Sequence, residues 1–367
     1  MMQTEYSADQ DQFRDVVRRF MQDKSPPAAV RAAMETETGF DAQVWHQLCN
    51  EVGLAGTHIP AAWGGFGFGA VELGIVTEEM GRRLYCGPFF ASSVMAGYAL
   101  MEAASEAARE QLLPALATGT TLATLVLDNL NDPLGLGQHL HAGDNGVLNG
   151  TAGIVLDAHV ADQLVIVAGD SQGLGLYLAP ADADGIRIKR RESLDPTRKL
   201  SEVSFGEVPV ERLGNLSGEA MGHIWDKICV ALAHEMVGGA QYLLESTVDY
   251  TKVRVQFGRP IGSFQALKHR CADLLMEVEF ARAATYHAAR CLDAGEGEPY
   301  APSMAKALAS EVYMNAARAG IQLRGGIGFT WENDTHLWFK RAKSSEVFMG
   351  SPHFHRERMI SILEAEA

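Results

Sequence analysis

The sequence has little positive charge and no long hydrophobic run. Its 367 residues include 31 Lys and Arg against 46 Asp and Glu, which gives a formal net charge of −15. This excess of negative charge argues against nucleic acid and anionic membrane surfaces as partners. No apolar stretch approaches the roughly 20 residues of a membrane-spanning helix. An apolar fraction of 47% in a chain of this length predicts two or three domains with hydrophobic cores.

Cysteine is also sparse, and its spacing excludes the common metal and redox motifs. The five cysteines are odd in number and form no CxxC pair. We therefore predict reduced core thiols in a cytoplasmic protein. Two HxH pairs, His139–His141 and His353–His355, have no cysteine or third ligand nearby in the sequence. We predict no metal site from either pair.

Composition and periodicity divide the chain into three segments. Residues 1–116 are predicted to form an N-terminal helical domain, because apolar residues recur at amphipathic spacing from Phe13 to Phe20. Residues 117–218 consist of short β-branched runs between Gly, Asn and Asp turns, which is typical of a small β-barrel or β-sandwich. Residues 219–367 return to long, Ala-rich helical patterns that can pack closely, as in a four-helix bundle.

The most informative stretch is YTKVRVQFGRPIGSFQ, at residues 250–265. It predicts the end of a helix followed by a turn, because Gly258 breaks a helix and Pro260 bars its continuation. Arg254 and Phe257 are three apart, so on a helix they share one face. A cation beside an aromatic ring, closed by a tight turn, would seat a planar anionic cofactor such as an adenine dinucleotide.

This stretch resembles a signature of the acyl-CoA dehydrogenase family, an Arg-x-x-Phe-Gly-x-Pro-Ile run followed by Phe-Gln. A second family signature, QLRGGIGF, stands at residues 322–329, in the expected order and at the expected separation. The resemblance implies an α+β fold with an N-terminal helical domain, a central small β-barrel and a C-terminal four-helix bundle. It also implies an FAD-dependent oxidoreductase that removes hydrogens from the α and β carbons of an acyl-CoA thioester. An acceptor such as electron-transfer flavoprotein would then take the electrons.

The resemblance further implies which residues contact the cofactor. In similar proteins, the C-terminal helical domain holds the adenine half of an FAD that belongs to a neighbouring subunit. Carried over to the matching positions of this chain, those contacts are Arg254, Phe257, Gln265, Gln322 and Gly326. All five positions match the family pattern.

The flavin half of the expected site does not match. Family members with a full site carry a Thr-Glu-Pro-x-Ala-Gly-Ser-Asp loop, whereas residues 127–137 read LDNLNDPLGLG and lack the Thr and the Ser. Ile154 and Leu156 stand where the family places the Trp and Thr of a Trp-Ile-Thr run, and the β segment has no tryptophan. Aliphatic side chains cannot donate hydrogen bonds to flavin ring atoms. We therefore predict that the flavin-facing half of this subunit is incomplete.

The catalytic base is displaced as well. Most family members carry a glutamate in a Tyr-Glu-Gly-Thr segment, and Met349 occupies that position in the matching run Phe348–Ser351. A minority place the base on the first long helix of the C-terminal domain, at a position that aligns with Ile228. Glu235 lies two helical turns further, on roughly the same face and in an apolar stretch, so it is the candidate base. The alternative is a Glu235 that is solvated on the helix surface or paired with a buried arginine at a subunit contact.

Three functions stay open at this point. The chain is either the partner subunit of a heteromeric acyl-CoA dehydrogenase, a homo-oligomeric enzyme with Glu235 as base, or a non-catalytic scaffold or acyl-CoA binder. The matched adenine positions argue against the third function. The altered flavin loop and Met349 together favour the first. In that first function, the chain resembles a subunit of the two-subunit acyl-CoA dehydrogenases of bacterial steroid side-chain degradation, which form heterotetramers.

Overall fold

A computed structural model describes residues 6–366 of the chain, apart from the side chains of Leu134 and Glu366. Within this range, no helix has both the length and the apolar character needed to cross a membrane. The described residues form two compact units. Unit 1 is built from the residues up to Val30, from 70–85 and from 229 onward, and unit 2 from 31–69 and 86–228.

The first predicted segment contributes helices to both units, so the division of the sequence into three domains stays a prediction. Helix starts in this segment follow from capping side chains. The Ser7 hydroxyl accepts from the backbone N–H of Gln10, whose side chain accepts in return from the Ser7 N–H. The helices are α1 (Ala8–Lys24), α2 (Pro27–Glu35), α3 (Ala42–Asn50), α4 (Ala70–Arg82), a π-helical turn (Phe90–Ala96) that continues into α5 (Gly97–Ala103), and α6 (Glu106–Ala117).

The central segment forms an eight-stranded sheet in unit 2. Its strands are β1 (Ala123–Val126), β2 (Leu140–Ala142), β3 (Val147–Leu156), β4 (Gln163–Asp170), β5 (Gly173–Pro180), β6 (Ile186–Arg191), β7 (Leu200–Pro209) and β8 (Glu211–Leu216). The spatial order is β6-β7-β3-β2-β4-β5-β8, and β1 pairs in parallel with β4. The Leu164–Ala168 run of β4 is fully buried, which accounts for its continuous apolar sequence.

Long helices make up the rest of the chain. They are α7 (Gly218–Val253), α8 (Gln265–Ala294), α9 (Ala301–Arg324), α10 (Thr335–Val347) and α11 (Pro352–Glu366). In unit 1, α8, α10 and α11 all pack against α9. The predicted order of helices, central sheet and helices is therefore confirmed.

Glycines allow the helices of unit 1 to approach closely. Gly238 of α7 lies against the backbone of Glu78 in α4, and Gly239 lies against the ring of Tyr313 in α9. A Cβ at either position would collide with these neighbours. The close packing that the Ala- and Gly-rich sequence predicts is confirmed at these two crossings.

A buried ionic cluster joins α1, α4 and α8 inside unit 1. Glu78 is 1% exposed, pairs with Arg14 at 3.0 Å and also accepts from Arg282. Burial alone would raise the pKa of Glu78, but Arg282 and Arg14 lower it to about 2. His234 of α7 lies in the same electrostatic environment, and burial lowers its pKa to about 4. The cluster therefore keeps a carboxylate ionised and an imidazole neutral in the interior of the unit.

Candidate active site

The stretch that carries the first signature is a hairpin rather than a continued helix. Helix α7 ends at Val253, and β9 (Val255–Gln256) pairs with β10 (Arg259–Pro260). Phe257 and Gly258 form the two-residue turn with φ values of 53° and 76°. Two positive φ values in sequence are typical of a type I′ hairpin turn, which suits glycine at one position.

The prediction that Arg254 and Phe257 share a helical face is therefore wrong. Arg254 follows the last helical residue, and its backbone oxygen accepts from the N–H of Ile261 at 2.8 Å, which closes the hairpin. Val253 and Val255 are β-branched, and residues of this kind favour extended structure over a helix. The helix ends before Gly258 because the hairpin supplies the backbone hydrogen bonds that another helical turn would have made.

The hairpin presents the predicted cofactor contacts Arg254 and Phe257 to solvent. Phe257 is 91% exposed, and its ring meets Phe264 edge-on at a centroid distance of 6.1 Å. Arg254 is exposed, and so is Gln265, the first residue of α8. A large aromatic side chain held outside its own core by a left-handed backbone conformation gains little from its own fold.

The second signature lies at the end of α9, which is tied to the last turns of α7. The Arg324 guanidinium donates to Thr247 Oγ1 at 2.8 Å and to Ser246 Oγ at 3.0 Å, and it stacks over the ring of Tyr250. Burial lowers the pKa of Arg324. The helix then ends at Gly325, whose φ of 66° favours glycine.

The two signatures are thus both attached to the C-terminal part of α7. Gln322 is exposed at the end of α9, and Gly326 follows in a short 3-10 turn with open space where a Cβ would point. The structure brings an exposed aromatic ring, a guanidinium, two amides and accessible glycine backbone to the surface of unit 1. These groups fit the stacking and charge requirements of an adenine and pyrophosphate.

In the loop at residues 127–137, a side chain of the loop itself accepts hydrogen bonds from nearby backbone N–H groups. The Asp128 carboxylate accepts from the backbone N–H of Gly137 at 3.0 Å and of His139 at 2.6 Å. Ile154 of β3 is 49% exposed, whereas Leu156 is buried. The resemblance predicts that such a loop donates hydrogen bonds to a flavin ring, whereas here the N–H of Gly137 in the loop, and that of His139 just after it, are bound to an anionic side chain.

The turn that holds Met349 is built by two buried residues that sequence reasoning missed. The Lys306 ammonium is fully buried and donates to the backbone oxygens of Gly350 at 3.0 Å and Ser345 at 3.2 Å. The His355 Nε2 donates to Met349 O at 2.8 Å, and burial lowers the pKa of this imidazole to about 3. An imidazole that is neutral can keep its proton on Nε2, as this bond requires.

The one available signal for Lys306 was a single charge inside the apolar run SMAKALAS. His355 belongs to the HxH pair at 353 and 355, but its ring bonds a backbone carbonyl and the hydroxyl of Ser303. Met349 itself is fully buried with a φ of 59°. The position at which the family resemblance predicts a glutamate is thus a tightly packed apolar side chain in this chain.

Glu235 is paired with an arginine of its own chain. Arg341 of α10 donates to Glu235 Oε1 at 3.1 Å, and the two side chains are 3% and 8% exposed. The sequence correctly placed Glu235 in an apolar stretch of a long helix, but it gave no sign of Arg341. A buried carboxylate that is held by a guanidinium has a structural task, which competes with proton abstraction.

Comparisons with known proteins assign the family. Residues 7–120 match the acyl-CoA dehydrogenase N-terminal domain, and residues 229–363 match the acyl-CoA dehydrogenase C-terminal domain. The acyl-CoA dehydrogenase IpdE2 of Mycobacterium tuberculosis is 37% identical over 339 residues, 92% of this chain and 92% of the relative. The chain therefore belongs to the acyl-CoA dehydrogenase family, whose members are oxidoreductases that act on acyl-CoA. The predictions of family and enzyme class are confirmed.

Solved structures share the fold of this chain. A steroid acyl-CoA dehydrogenase variant, Tcur3481-Tcur3483, superposes with a TM-score of 0.89 at 28% identity and covers 98% of both chains. The ChsE4-ChsE5 complex from Mycobacterium tuberculosis superposes with a TM-score of 0.90 at 24% identity over 100% of both chains. FAD, the cofactor implied by the resemblance, is the flavin that solved proteins of this fold carry, as in a glutaryl-CoA dehydrogenase from Mycobacterium smegmatis in complex with FADH2.

Proposed function

We propose that this chain is the partner subunit of a heteromeric, FAD-dependent acyl-CoA dehydrogenase. In this role it contributes Arg254, Phe257, Gln265, Gln322 and Gly326 to the adenine half of an FAD whose ring rests on another subunit. The observation that carries the proposal is the 91% exposure of Phe257 in a turn with positive φ. Such a side chain is explained if an external ring stacks on it.

The chemistry of each contact follows from its residue type. Arg254 supplies a cation for the pyrophosphate, and a charge-assisted hydrogen bond of this kind contributes about 1.5–3 kcal/mol. Phe257 supplies a face for the adenine, and Gln265 and Gln322 supply amide donors and acceptors. The open backbone at Gly326 allows close approach of the cofactor. When bound, FAD supplies the acceptor for the hydride that leaves the β carbon.

The other half of the subunit supports a partner rather than a self-sufficient enzyme. The Asp128 carboxylate occupies the backbone N–H of Gly137, in the altered loop, and that of His139, just after it, and Met349 cannot accept a proton. Glu235, the candidate base, is engaged by Arg341. We infer that a second acyl-CoA dehydrogenase-like subunit supplies the base and the contacts to the flavin ring, in a heterotetramer. The homo-oligomeric alternative requires Glu235 to leave Arg341 before it can act.

The substrate class follows the family, and the finer assignment is part of the proposal. We infer that the substrate is an acyl-CoA thioester with a bulky acyl group, since a steroid acyl-CoA dehydrogenase is 28% identical over 98% of this chain. An electron-transfer flavoprotein is the inferred acceptor. The five cysteines form no disulfide, which fits a reducing compartment such as the cytoplasm.

The stoichiometry of bound FAD tests this proposal. The chain expressed alone is expected to retain far less than one FAD per chain, because only the adenine contacts are present. Coexpression with its partner, a second acyl-CoA dehydrogenase chain with an intact flavin loop and a catalytic glutamate, is expected to restore about one FAD per pair. Absorbance of the purified flavin against protein concentration measures both. One tightly bound FAD per isolated chain would overturn the proposal.

A further inference from the structure

Three side chains with metal-binding chemistry meet where α8 turns towards α9. His287 and Cys291 are four residues apart and therefore lie on one face of α8. Glu298 reaches them from the loop that follows the helix. The His287 Nε2 is 2.7 Å from Glu298 Oε2, and Cys291 Sγ is 3.6 Å from both of these atoms. An imidazole, a thiol and a carboxylate thus present one ligand atom each to a single point.

The loop is shaped to bring Glu298 back to the helix. Helix α8 ends at Ala294, and Gly295 adopts a left-handed conformation with a φ of 64°. Gly297 has a φ of 129°, and a Cβ there would lie 2.6 Å from Cys291 Sγ. The Glu298 backbone oxygen then accepts from the N–H of Ala301, the first residue of α9, at 2.9 Å. Glycine is therefore required next to the sulfur for this return of the chain.

Two of the three distances match those of a tetrahedral metal site. In such a site, bonds of about 2.0–2.3 Å place neighbouring ligand atoms about 3.3–3.6 Å apart. The two distances from the sulfur already have this value, and the distance of 2.7 Å between the imidazole and carboxylate atoms has to widen by less than an ångström. We propose that His287, Cys291 and Glu298 bind a zinc-class divalent transition metal and that a water completes the fourth position.

The ligand types select the metal. A thiolate and an imidazole favour Zn²⁺ and its neighbours over Ca²⁺ and Mg²⁺, which take oxygen ligands. Binding converts the Cys291 thiol to a thiolate and releases its proton to solvent, while Glu298 ligates as a carboxylate. The two anionic ligands balance the charge of the divalent ion. His287 and Glu298 are 30% and 41% exposed, so the ion can enter from solvent without unfolding.

The site would fasten the loop between α8 and α9 to the helix. Because the metal binds the folded arrangement, it is expected to raise the unfolding temperature of the chain. This consequence involves no flavin, substrate or partner subunit. The metal site can therefore be tested whether or not the proposed function is correct.

Cobalt substitution gives a direct test on the purified full-length chain. After removal of metal with a chelator, one equivalent of Co²⁺ is expected to produce tetrahedral ligand-field bands and a thiolate-to-cobalt charge-transfer band, and Zn²⁺ is expected to bleach both. Cys291→Ser is expected to abolish the charge-transfer band. Glu298→Gln is expected to keep this band and to weaken binding by at least the ~10–100-fold that loss of a supporting contact costs.

The same helix offers a matched control. Cys271 is a second half-buried cysteine of α8, so Cys271→Ser is expected to leave the cobalt spectrum unchanged. Circular dichroism checks that each variant is folded, and the Glu298→Gln titration keeps the test decisive if Cys291→Ser does not fold. The absence of a stoichiometric charge-transfer band in the parent chain would overturn the inference. A band that survives Cys291→Ser or disappears in Cys271→Ser would also overturn it.

Discussion

The hairpin at residues 254–260 and the turn at residues 348–351 differ in the exposure of their side chains. The hairpin leaves Arg254 and Phe257 exposed, with Phe257 held in a left-handed conformation. In the turn, Lys306 and His355 bind the backbone oxygens and Met349 is fully buried. The first region has groups to offer an external ligand, whereas the second uses its groups for its own fold. This difference supports the proposal that the chain contributes the adenine half of a cofactor site.

The largest effect on stability is expected from Glu235→Gln, which keeps the shape of the side chain but removes its charge. If Glu235 is structural, this change removes the negative charge from its buried pair with Arg341, and the free energy of unfolding falls by about 3 kcal/mol. Urea unfolding measures this loss. The surface pair of Glu311 and Arg356 provides the control, since Glu311→Gln is expected to cost at most about 1 kcal/mol.

The same variant separates the two roles of Glu235 in the assembled enzyme. A catalytic base predicts that turnover falls by about 10²–10⁴ while acyl-CoA binding stays similar. A structural Glu235 predicts lost stability or assembly with turnover retained per intact complex. We expect the structural result. A stable, assembled Glu235→Gln complex without turnover would contradict it.

Acid should weaken unit 1 through its buried charges. The pKa of His234, about 4, lies below its ordinary 6.5, and that of Glu78, about 2, lies below its ordinary 4.5. Both groups stabilise the fold fully above their ordinary values. The contribution of His234 is lost as the pH falls from about 6.5 to 4, and that of Glu78 from about 4.5 to 2.

Each group is expected to contribute on the order of 3 kcal/mol across its window. Urea unfolding at a series of pH values measures the slope. His234→Gln is expected to reduce the slope in the upper window, to which the buried His355 also contributes, whereas His269→Gln, at an exposed position of α8, is expected to leave it unchanged. A parent chain whose stability is constant between pH 6.5 and 4 would contradict the assignment.

The role of the hairpin at residues 254–260 is tested by removing its two exposed side chains in the assembled complex. Arg254→Ala is expected to weaken FAD retention by about 1.5–3 kcal/mol through loss of a charge-assisted contact. Phe257→Ala is expected to weaken it through lost packing, with no change in salt dependence. Arg270→Ala, at another exposed arginine, is the control. Unchanged FAD content in both hairpin variants would show that the hairpin is not the adenine site.

The smallest effect on activity is expected from Met349→Glu. The substitution restores the family's usual acid, yet the isolated chain is expected to stay without dehydrogenase activity because its flavin loop is altered. Met349→Gln is the control for the burial of a polar group at this position. Dehydrogenation by Met349→Glu alone would mean that this subunit already holds a flavin ring correctly. The proposed difference between the hairpin at residues 254–260 and the turn at residues 348–351 would then be wrong.

Much of this protein was determined by local sequence. The helical and β segments follow from periodicity and turn residues, and the family follows from two contiguous runs, at 250–265 and 322–329. The absence of tryptophan from the β segment and the methionine at 349 are also direct sequence facts. Local patterns are sufficient here because helix period, turn chemistry and contiguous signatures involve residues that are close in the chain.

Only the tertiary structure decided how distant side chains combine. Arg341 pairs with Glu235 across 106 residues, and Lys306 reaches Gly350 across 44. The hairpin replaced the expected last helical turn because its pairing satisfies the same backbone groups. His287, Cys291 and Glu298 became a cluster only when the chain turned back at Gly297. Such contacts depend on packing between separate elements, which periodicity does not encode, and they decide whether a charged residue is structural, catalytic or a ligand.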